Sequence, residues 1–147
     1  MTDIKLENFG QIGIVVKNIE KAAEMYRELF QFKGKINIVE QSASVTCRGV
    51  EGTYKMKKIM QHFSDKQFEV VEIVDAVGPN LYSEFLDQGR EGLHHLGIYT
   101  KKGTELKDAF KKKYNADVIQ VGKVGKLTFS YLDTISYLGY YIELLEF

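Results

Sequence analysis

Two stretches of this chain decide its fold, QIGIVV at residues 11–16 and HLGIYT at residues 95–100. Both are short apolar runs with β-branched residues, which is typical of a largely buried strand. A second matching pair follows, FEVVEI at residues 68–73 and IELLEF at residues 142–147. The members of each pair lie about 75 to 85 residues apart, which is too far for a solenoid repeat. The pattern therefore predicts two copies of one supersecondary unit.

The segments between these strands repeat in the same order in each half. After the first strand, Asn18 is a suitable N-cap for an amphipathic helix, which Gly34 should end. About three strands follow, and the second half repeats this order. Residues 41–52 are rich in Ser, Thr and Gly, which predicts a mobile loop. We predict a single α+β domain over residues 1–147, with βαβββ modules at about residues 8–76 and 92–147 and a linker helix at about 79–90.

Composition limits the classes of partner. The 147 residues include 20 basic and 20 acidic side chains, so bulk charge predicts neither nucleic-acid binding nor attraction to an anionic membrane. The apolar runs are far shorter than the roughly 20 residues that cross a bilayer. Residues 1–10 show no secretory pattern, and the single Cys47 suits a reducing compartment. We therefore expect a cytoplasmic protein with no nucleic-acid or membrane partner.

The repeated strands each carry one polar residue where a core strand should be apolar. In register, Gln11 matches His95 and Glu69 matches Glu143. If the two halves pack with pseudo-twofold symmetry, these four side chains can converge. Imidazole, carboxylate and amide donors without a thiolate suit an open Zn, Co, Ni or Mn site. The pattern thus predicts a divalent metal ion on four different strands.

Each member of this set also has an ordinary structural explanation. Either glutamate alone could face solvent at a sheet edge, and His95 alone could be a hydrogen-bonded core histidine. His94 has the opposite strand parity, so we expect it to pack or bond outside the site. The in-register coincidence of four chelating side chains favours the metal site.

Several further sequence motifs of this chain occur together in a known protein superfamily. They are QIGIVV at 11–16 before the helix with Tyr26, GLHHLG at 92–97, LDT at 132–134, LG at 138–139 and IEL at 142–144. Through these motifs the chain resembles the vicinal oxygen chelate superfamily over nearly its whole length. That superfamily includes glyoxalase I, methylmalonyl-CoA epimerase, fosfomycin-resistance and bleomycin-binding proteins, and extradiol dioxygenases. The GLHHLG motif and the linker are most similar to the epimerase branch.

The resemblance implies specific structural features. Paired βαβββ modules would curve into an incomplete barrel around a divalent cation, and the protein would form a homodimer. Carried over by position, Gln11, Glu69, His95 and Glu143 match the four metal positions of the family. A divalent cation in such a site stabilises the negative charge that forms on a chelating carbonyl substrate.

The implied function is a metal-dependent isomerase, epimerase or lyase that removes a proton α to the carbonyl of a small acyl or thioester substrate. Glu143 and Glu69 are the candidate bases, because pseudo-symmetry would place them on opposite faces of the substrate. Similar epimerases usually have His at the position of Gln11 and Gln at that of Glu69. The set found here is instead similar to that of zinc glyoxalase I, so a lactoylglutathione lyase is an alternative.

Candidate substrate-binding residues complete the prediction. The acidic base of the epimerases aligns near Lys55, where a lysine would bind a CoA phosphate or a carboxylate unless it is simply solvated. Tyr99, Phe129 and Tyr131 would supply aromatic walls. The same aromatic residues also suit a third class, a non-enzymatic protein that sequesters an antibiotic. Metal content separates these classes, since sequestration needs no stoichiometric ion.

Overall fold

The computed structural model describes residues 4–7, 9–30 and 36–147. The first unit has the order β-α-β-β-β and the second has the order β-α-β-β-α-β, with one helix between the two units. This mixture of helices and strands confirms the predicted α+β class. Gly34, the predicted end of the first helix, lies outside the described residues. The elements are β1 (Gln11–Val15), α1 (Ile19–Phe30), β2 (Val39–Cys47), β3 (Val50–Phe63), β4 (Lys66–Val77), α2 (Leu81–Asp87), β5 (Gly92–Tyr99), α3 (Gly103–Tyr114), β6 (Val118–Val124), β7 (Leu127–Leu132), α4 (Ile135–Leu138) and β8 (Tyr141–Glu146).

All eight strands form one closed barrel in the order β1-β4-β3-β2-β6-β7-β8-β5. Within each unit the first and last strands pair in parallel, β1 with β4 and β5 with β8. Two antiparallel seams join the units, β1 with β5 and β2 with β6. The expected incomplete barrel is therefore wrong, because the β2–β6 seam pairs residues 44–47 with residues 120–123 and closes the sheet.

The predicted mobile loop at residues 41–52 is also wrong. This segment forms most of β2 and the start of β3. A turn at Arg48 and Gly49, two residues with positive φ, joins the two strands. Along β2, exposed residues alternate with the buried side chains of Ala43, Val45 and Cys47. Polar and apolar residues in strict alternation indicate a strand with one buried face. Composition alone had suggested a loop.

Of the four helices in the described residues, α1 and α3 cover the outside of the barrel, and α2 packs against its inner core. Side chains of α1 pack with those of β1, β3 and β4, and Phe110 of α3 packs with β5, β7 and β8. Asn18 caps α1 as predicted, since the amide of Lys21 donates to its Oδ1 at 3.0 Å. Leu81, Tyr82 and Phe85 of α2 pack with the inward-facing residues of the barrel. Among the described residues, none of the helices has the length and apolar character to span a membrane.

Candidate metal centre inside the barrel

The four predicted ligands lie together inside the barrel. His95 Nε2 is 3.0 Å from Gln11 Oε1, 3.6 Å from Glu69 Oε1 and 3.7 Å from Glu143 Oε1. All four residues are buried, with exposed fractions between 0% and 8%. Around an ion with bonds of about 2.1 Å, neighbouring donor atoms are roughly 3.0 to 3.4 Å apart. The distances from His95 are close to that range.

Sheet register explains why these side chains meet. Gln11 and Glu69 come from the parallel pair β1–β4, and His95 and Glu143 come from the parallel pair β5–β8. Glu69 is the register partner of Gly13, and Glu143 is the register partner of Gly97. The two halves are therefore equivalent around the site. The seam between β1 and β5 brings them face to face.

Two glycines make room for this arrangement. A Cβ on Gly13 would lie 2.0 Å from His95 Cε1 and 2.1 Å from its Nε2. A Cβ on Gly97 would lie 2.9 Å from the Cβ of Gln11. Each glycine thus leaves space for the donor on the opposite strand. Both glycines occur two residues after a ligand, in QIG and in HLG, and this repeated spacing was the available sequence signal for them.

Strand parity predicts that His94 lies outside the site. The structure instead places it inside the barrel. The pairing of β1 with β5 shifts so that Gly13 faces His95 while Ile14 faces Leu93, which leaves His94 as the extra residue of a β-bulge. His94 is fully buried, and its Nδ1 is 2.9 Å from His95 Nδ1. Burial lowers the pKa of His94 well below its usual value, and the neighbouring His95 lowers it further.

Burial and neighbouring charges shift the pKa values of Glu143 and His95. Burial raises the pKa of Glu143; Glu69 raises it further, while His95 and a hydrogen bond from Tyr131 lower it. For His95, burial alone would lower the pKa, but Glu143 and Glu69 outweigh burial and raise it. Within the described residues, no hydrogen-bond donor satisfies the buried Oε1 of Glu143. An unpartnered buried carboxylate oxygen favours a cation at this place.

The donor types fit a divalent ion, but the spacing of the two carboxylates is wider than direct coordination requires. In the described part of the chain, no group of three or more His, Cys, Asp or Glu side chains is spaced so that it could hold a metal ion. One of the close oxygens belongs to the amide of Gln11, and both carboxylates lie beyond hydrogen-bond distance of His95. Binding would require the carboxylates to approach by small rotations. One imidazole, one amide and two carboxylates are suitable ligands for Zn, Co, Ni or Mn.

A cavity of about 150 Å³ adjoins these residues. Of the predicted substrate-binding residues, Tyr99 and Phe129 line it. Tyr131 is fully buried, and its hydroxyl shares a hydrogen bond with the hydroxyl of Tyr82. Lys55 does not line the cavity, because it lies on the exposed side of β3 with its Nζ 3.0 Å from Glu40 Oε2.

The sequence reasoning missed several residues of the cavity wall. Tyr54, Met56, Lys58 and Met60 alternate along β3, and all four line the cavity. Period-two spacing from Tyr54 onward was the signal that could have identified Lys58 in place of Lys55. Gln67 also lines the cavity, and its Oε1 accepts hydrogen bonds from Tyr99 at 2.6 Å and from Gln11 at 3.2 Å.

Comparison with known proteins identifies the fold. Similar solved structures include a hypothetical protein from Bacillus halodurans C-125, which is 17% identical with a TM-score of 0.63 over 95% of this chain and 94% of that one. Methylmalonyl-CoA epimerase from Mycobacterium tuberculosis is 16% identical with a TM-score of 0.63 over 99% and 92% of the respective chains. A variant of the Streptomyces coelicolor epimerase, in complex with 2-nitronate-propionyl-CoA, is 17% identical with a TM-score of 0.63 over 97% and 95%.

At these identities the neighbours show a shared fold, and no curated protein sequence gives a match. A family model described as the Glyoxalase/Bleomycin resistance protein/Dioxygenase superfamily matches residues 10–125. Because this match spans most of the chain, the protein belongs to the Glyoxalase/Bleomycin resistance protein/Dioxygenase superfamily.

Proposed function

We propose that the protein is a metal-dependent isomerase, epimerase or lyase that removes a proton α to the carbonyl of a small acyl compound. The observation that carries this proposal is the meeting of Gln11, Glu69, His95 and Glu143 at one buried point beside a cavity. These four residues would hold the ion. When bound, the ion supplies Lewis-acid stabilisation of the negative charge that develops on the carbonyl oxygen.

The two glutamates are the proposed bases. Glu143 lines the cavity, its Oε1 has no donor among the described residues, and burial raises its pKa. To act as a base, either glutamate would have to turn one oxygen away from the ion, because a bound divalent cation favours the ionised carboxylate. Glu69 occupies the equivalent position in the other half and also lines the cavity. One glutamate can therefore remove a proton on one face of the substrate while the other returns it on the opposite face.

The cavity limits the part of the substrate that enters. Its volume of about 150 Å³ is smaller than the roughly 300 to 1,000 Å³ of pockets for drug-sized ligands. Only the reacting acyl group of a thioester would be enclosed, between Tyr99 and Phe129, and a longer carrier would extend outside. The neighbouring epimerase structures contain methylmalonyl-CoA and 2-nitronate-propionyl-CoA, which makes an acyl-CoA the first substrate to test.

Solvent exchange tests this proposal directly. The metal-loaded protein is incubated with methylmalonyl-CoA in deuterium oxide, and mass spectrometry follows deuterium at the α-carbon. We expect Glu143→Gln to abolish the exchange, because the amide cannot accept the proton. Glu146→Gln is the matched control, since Glu146 lies on the same strand and pairs with Lys107 at 3.1 Å. Wild-type exchange in the Glu143→Gln protein would remove this residue from the mechanism.

A second candidate function is hemithioacetal isomerisation of the glyoxalase I type. The observation that favours it is the donor set, which brings together one amide, one imidazole and two carboxylates. An assay with methylglyoxal and glutathione distinguishes the two activities. A sequestering protein remains the non-enzymatic alternative, and a purified chain without a stoichiometric metal ion would favour it over both enzymes.

A further inference from the structure

Lys58 is the lysine of β3 that lines the cavity. Its neighbours Lys55 and Lys57 lie on the other side of the strand and pair with Glu40 and Glu20, each at 3.0 Å. The side chain of Lys58 lines the cavity between those of Met56 and Met60. Among the described residues, no ion pair or side-chain hydrogen bond to the Lys58 ammonium is found. The cavity wall therefore carries one cation without an acidic partner in contact.

The charge balance of the site gives Lys58 a role. Glu69 and Glu143 carry two negative charges, which a divalent ion would cancel. The positive charge of Lys58 would then remain uncompensated in a partly buried place, which is unfavourable unless an anion joins it.

Apart from Glu69 and Glu143, the other polar groups described in the cavity wall are neutral. Gln41 and Gln67 line it together with Tyr54 and Tyr99. Amide and hydroxyl groups can donate hydrogen bonds to an anion but cannot replace its counterion. A lysine ammonium supplies both a charge and up to three donors.

We propose that Lys58 is the specificity-determining residue of this site and selects a small carbonyl compound that carries a carboxylate next to its reacting carbon. This inference rests on the proposed function, since it assumes the metal centre. The carboxylate would lie against the Lys58 ammonium while the carbonyl faces the metal ligands. Lys58 in this role would favour the acyl substrate over the hemithioacetal, because a hemithioacetal carries no carboxylate next to its reacting carbon.

Three ligands of equal size test the proposal. Malonate, malonamate and malonamide have the same number of non-hydrogen atoms but carry two, one and no negative charges. Calorimetric titration measures their affinity for the cobalt-loaded wild type and for the variants Lys58→Gln, Lys58→Met and Lys58→Arg. Lys57→Met is the matched control, since Lys57 is the adjacent lysine on the outer face. Elemental analysis first measures the metal content of each protein.

We expect both neutral variants to lose about tenfold or more in malonate affinity, as when one partner of a charged hydrogen bond is removed. Their affinity for malonamide should change less than about twofold, and Lys58→Arg and Lys57→Met should keep the preference for malonate. Equal effects on malonate and malonamide, or no effect on either, would overturn the role of Lys58 while the metal centre stands. A wild-type protein that takes up no stoichiometric metal would instead overturn the proposed function, and this inference with it.

Discussion

His94 and His95 share one hydrogen bond, and this pair shows how single residues set the chemistry of the site. The two Nδ1 atoms are 2.9 Å apart, so one ring donates to the other. A ring held in this way keeps its Nε2 directed at the oxygens of Gln11, Glu69 and Glu143. Partners of this kind orient metal-binding histidines and tune their affinity.

Burial of neutral His94 should make the metal-free protein less stable in acid. Its folded pKa is lowered by burial, so below the unfolded value of about 6.5 the unfolded chain binds a proton that the folded chain does not. Stability should therefore fall as the pH drops below that value, by up to about 1.4 kcal/mol per pH unit. His94→Phe removes this contribution. Urea unfolding at pH 7 and pH 5.5 should show a loss about 1 kcal/mol smaller for the variant.

His95 is present in both proteins and its contribution to the pH dependence is largely shared. The comparison therefore reports the loss of the buried His94 ring together with its hydrogen bond to His95. Phenylalanine keeps an aromatic ring among those of Tyr82 and Phe85, whose centroids lie 4.9 Å from that of His94. An equal pH dependence in the wild type and in His94→Phe would contradict a buried neutral histidine at this position.

At the residue scale, the sequence predicted four side chains that the structure brings together, and it missed the glycines that make room for them. Repetition and strand parity selected Gln11, Glu69, His95 and Glu143, and these four lie together. Parity failed at His94, because a β-bulge breaks the two-residue alternation and is formed by pairing with a distant strand. Local sequence does not contain that pairing.

At the level of the elements, the site depends on how closely β1 and β5 approach each other. Gly13 faces His95 across this seam, and a methyl group there would overlap the imidazole. Gly13→Ala should therefore displace His95 and reduce the affinity for cobalt by at least about tenfold. Equilibrium titration of the metal-free protein measures this loss.

Gly49→Ala is the control for this substitution. Gly49 has a positive φ of 82° with open space around it, so alanine there strains the backbone without contacting the site. Thermal unfolding should show a loss of about 1 to 2 kcal/mol for this variant, while its cobalt affinity stays at the wild-type value. Full cobalt affinity in Gly13→Ala would show that the glycine is not needed to position His95.

Most of the elements could be predicted, and the hairpin β2–β3 shows why some could not. The apolar pattern predicts a strand at residues 11–16, and β1 covers Gln11–Val15. Residues 41–52 were assigned a loop because Ser, Thr and Gly are common in loops. In β2 the exposed polar residues include Ser42, Ser44 and Thr46, and the side chains between them face the core. When one face of a strand is buried, the alternation of polar and apolar residues predicts the strand better than amino-acid composition does.

For the molecule as a whole, barrel closure determines the environment of the candidate metal centre. The β2–β6 seam joins the two units on the side opposite the β1–β5 seam. A closed sheet has no free edge strand and can enclose a cavity among inward-facing side chains. Closure depends on contacts between residues 44–47 and 120–123, which are far apart in the chain and could not be read from either segment alone.

Amide hydrogen exchange tests this closure. The backbone amides that pair across the β2–β6 seam should exchange slowly, like those of the central strands, because opening them requires breaking the barrel. Measurement by mass spectrometry or NMR on the full chain gives the protection of each segment. Rapid exchange throughout residues 41–52 would instead indicate the mobile loop that composition suggested.

The expected homodimer stays a prediction, which sedimentation in solution can measure.

Direct metal titration tests the central claim, that four strands bring one amide, one imidazole and two carboxylates to a single ion. The metal-free protein is titrated with cobalt, and calorimetry gives the number of ions bound per chain. The account predicts one ion per chain, an affinity loss of at least about tenfold in His95→Gln, and wild-type affinity in the surface control His62→Gln. Absence of stoichiometric binding, or equal affinity in His95→Gln and the wild type, would contradict it.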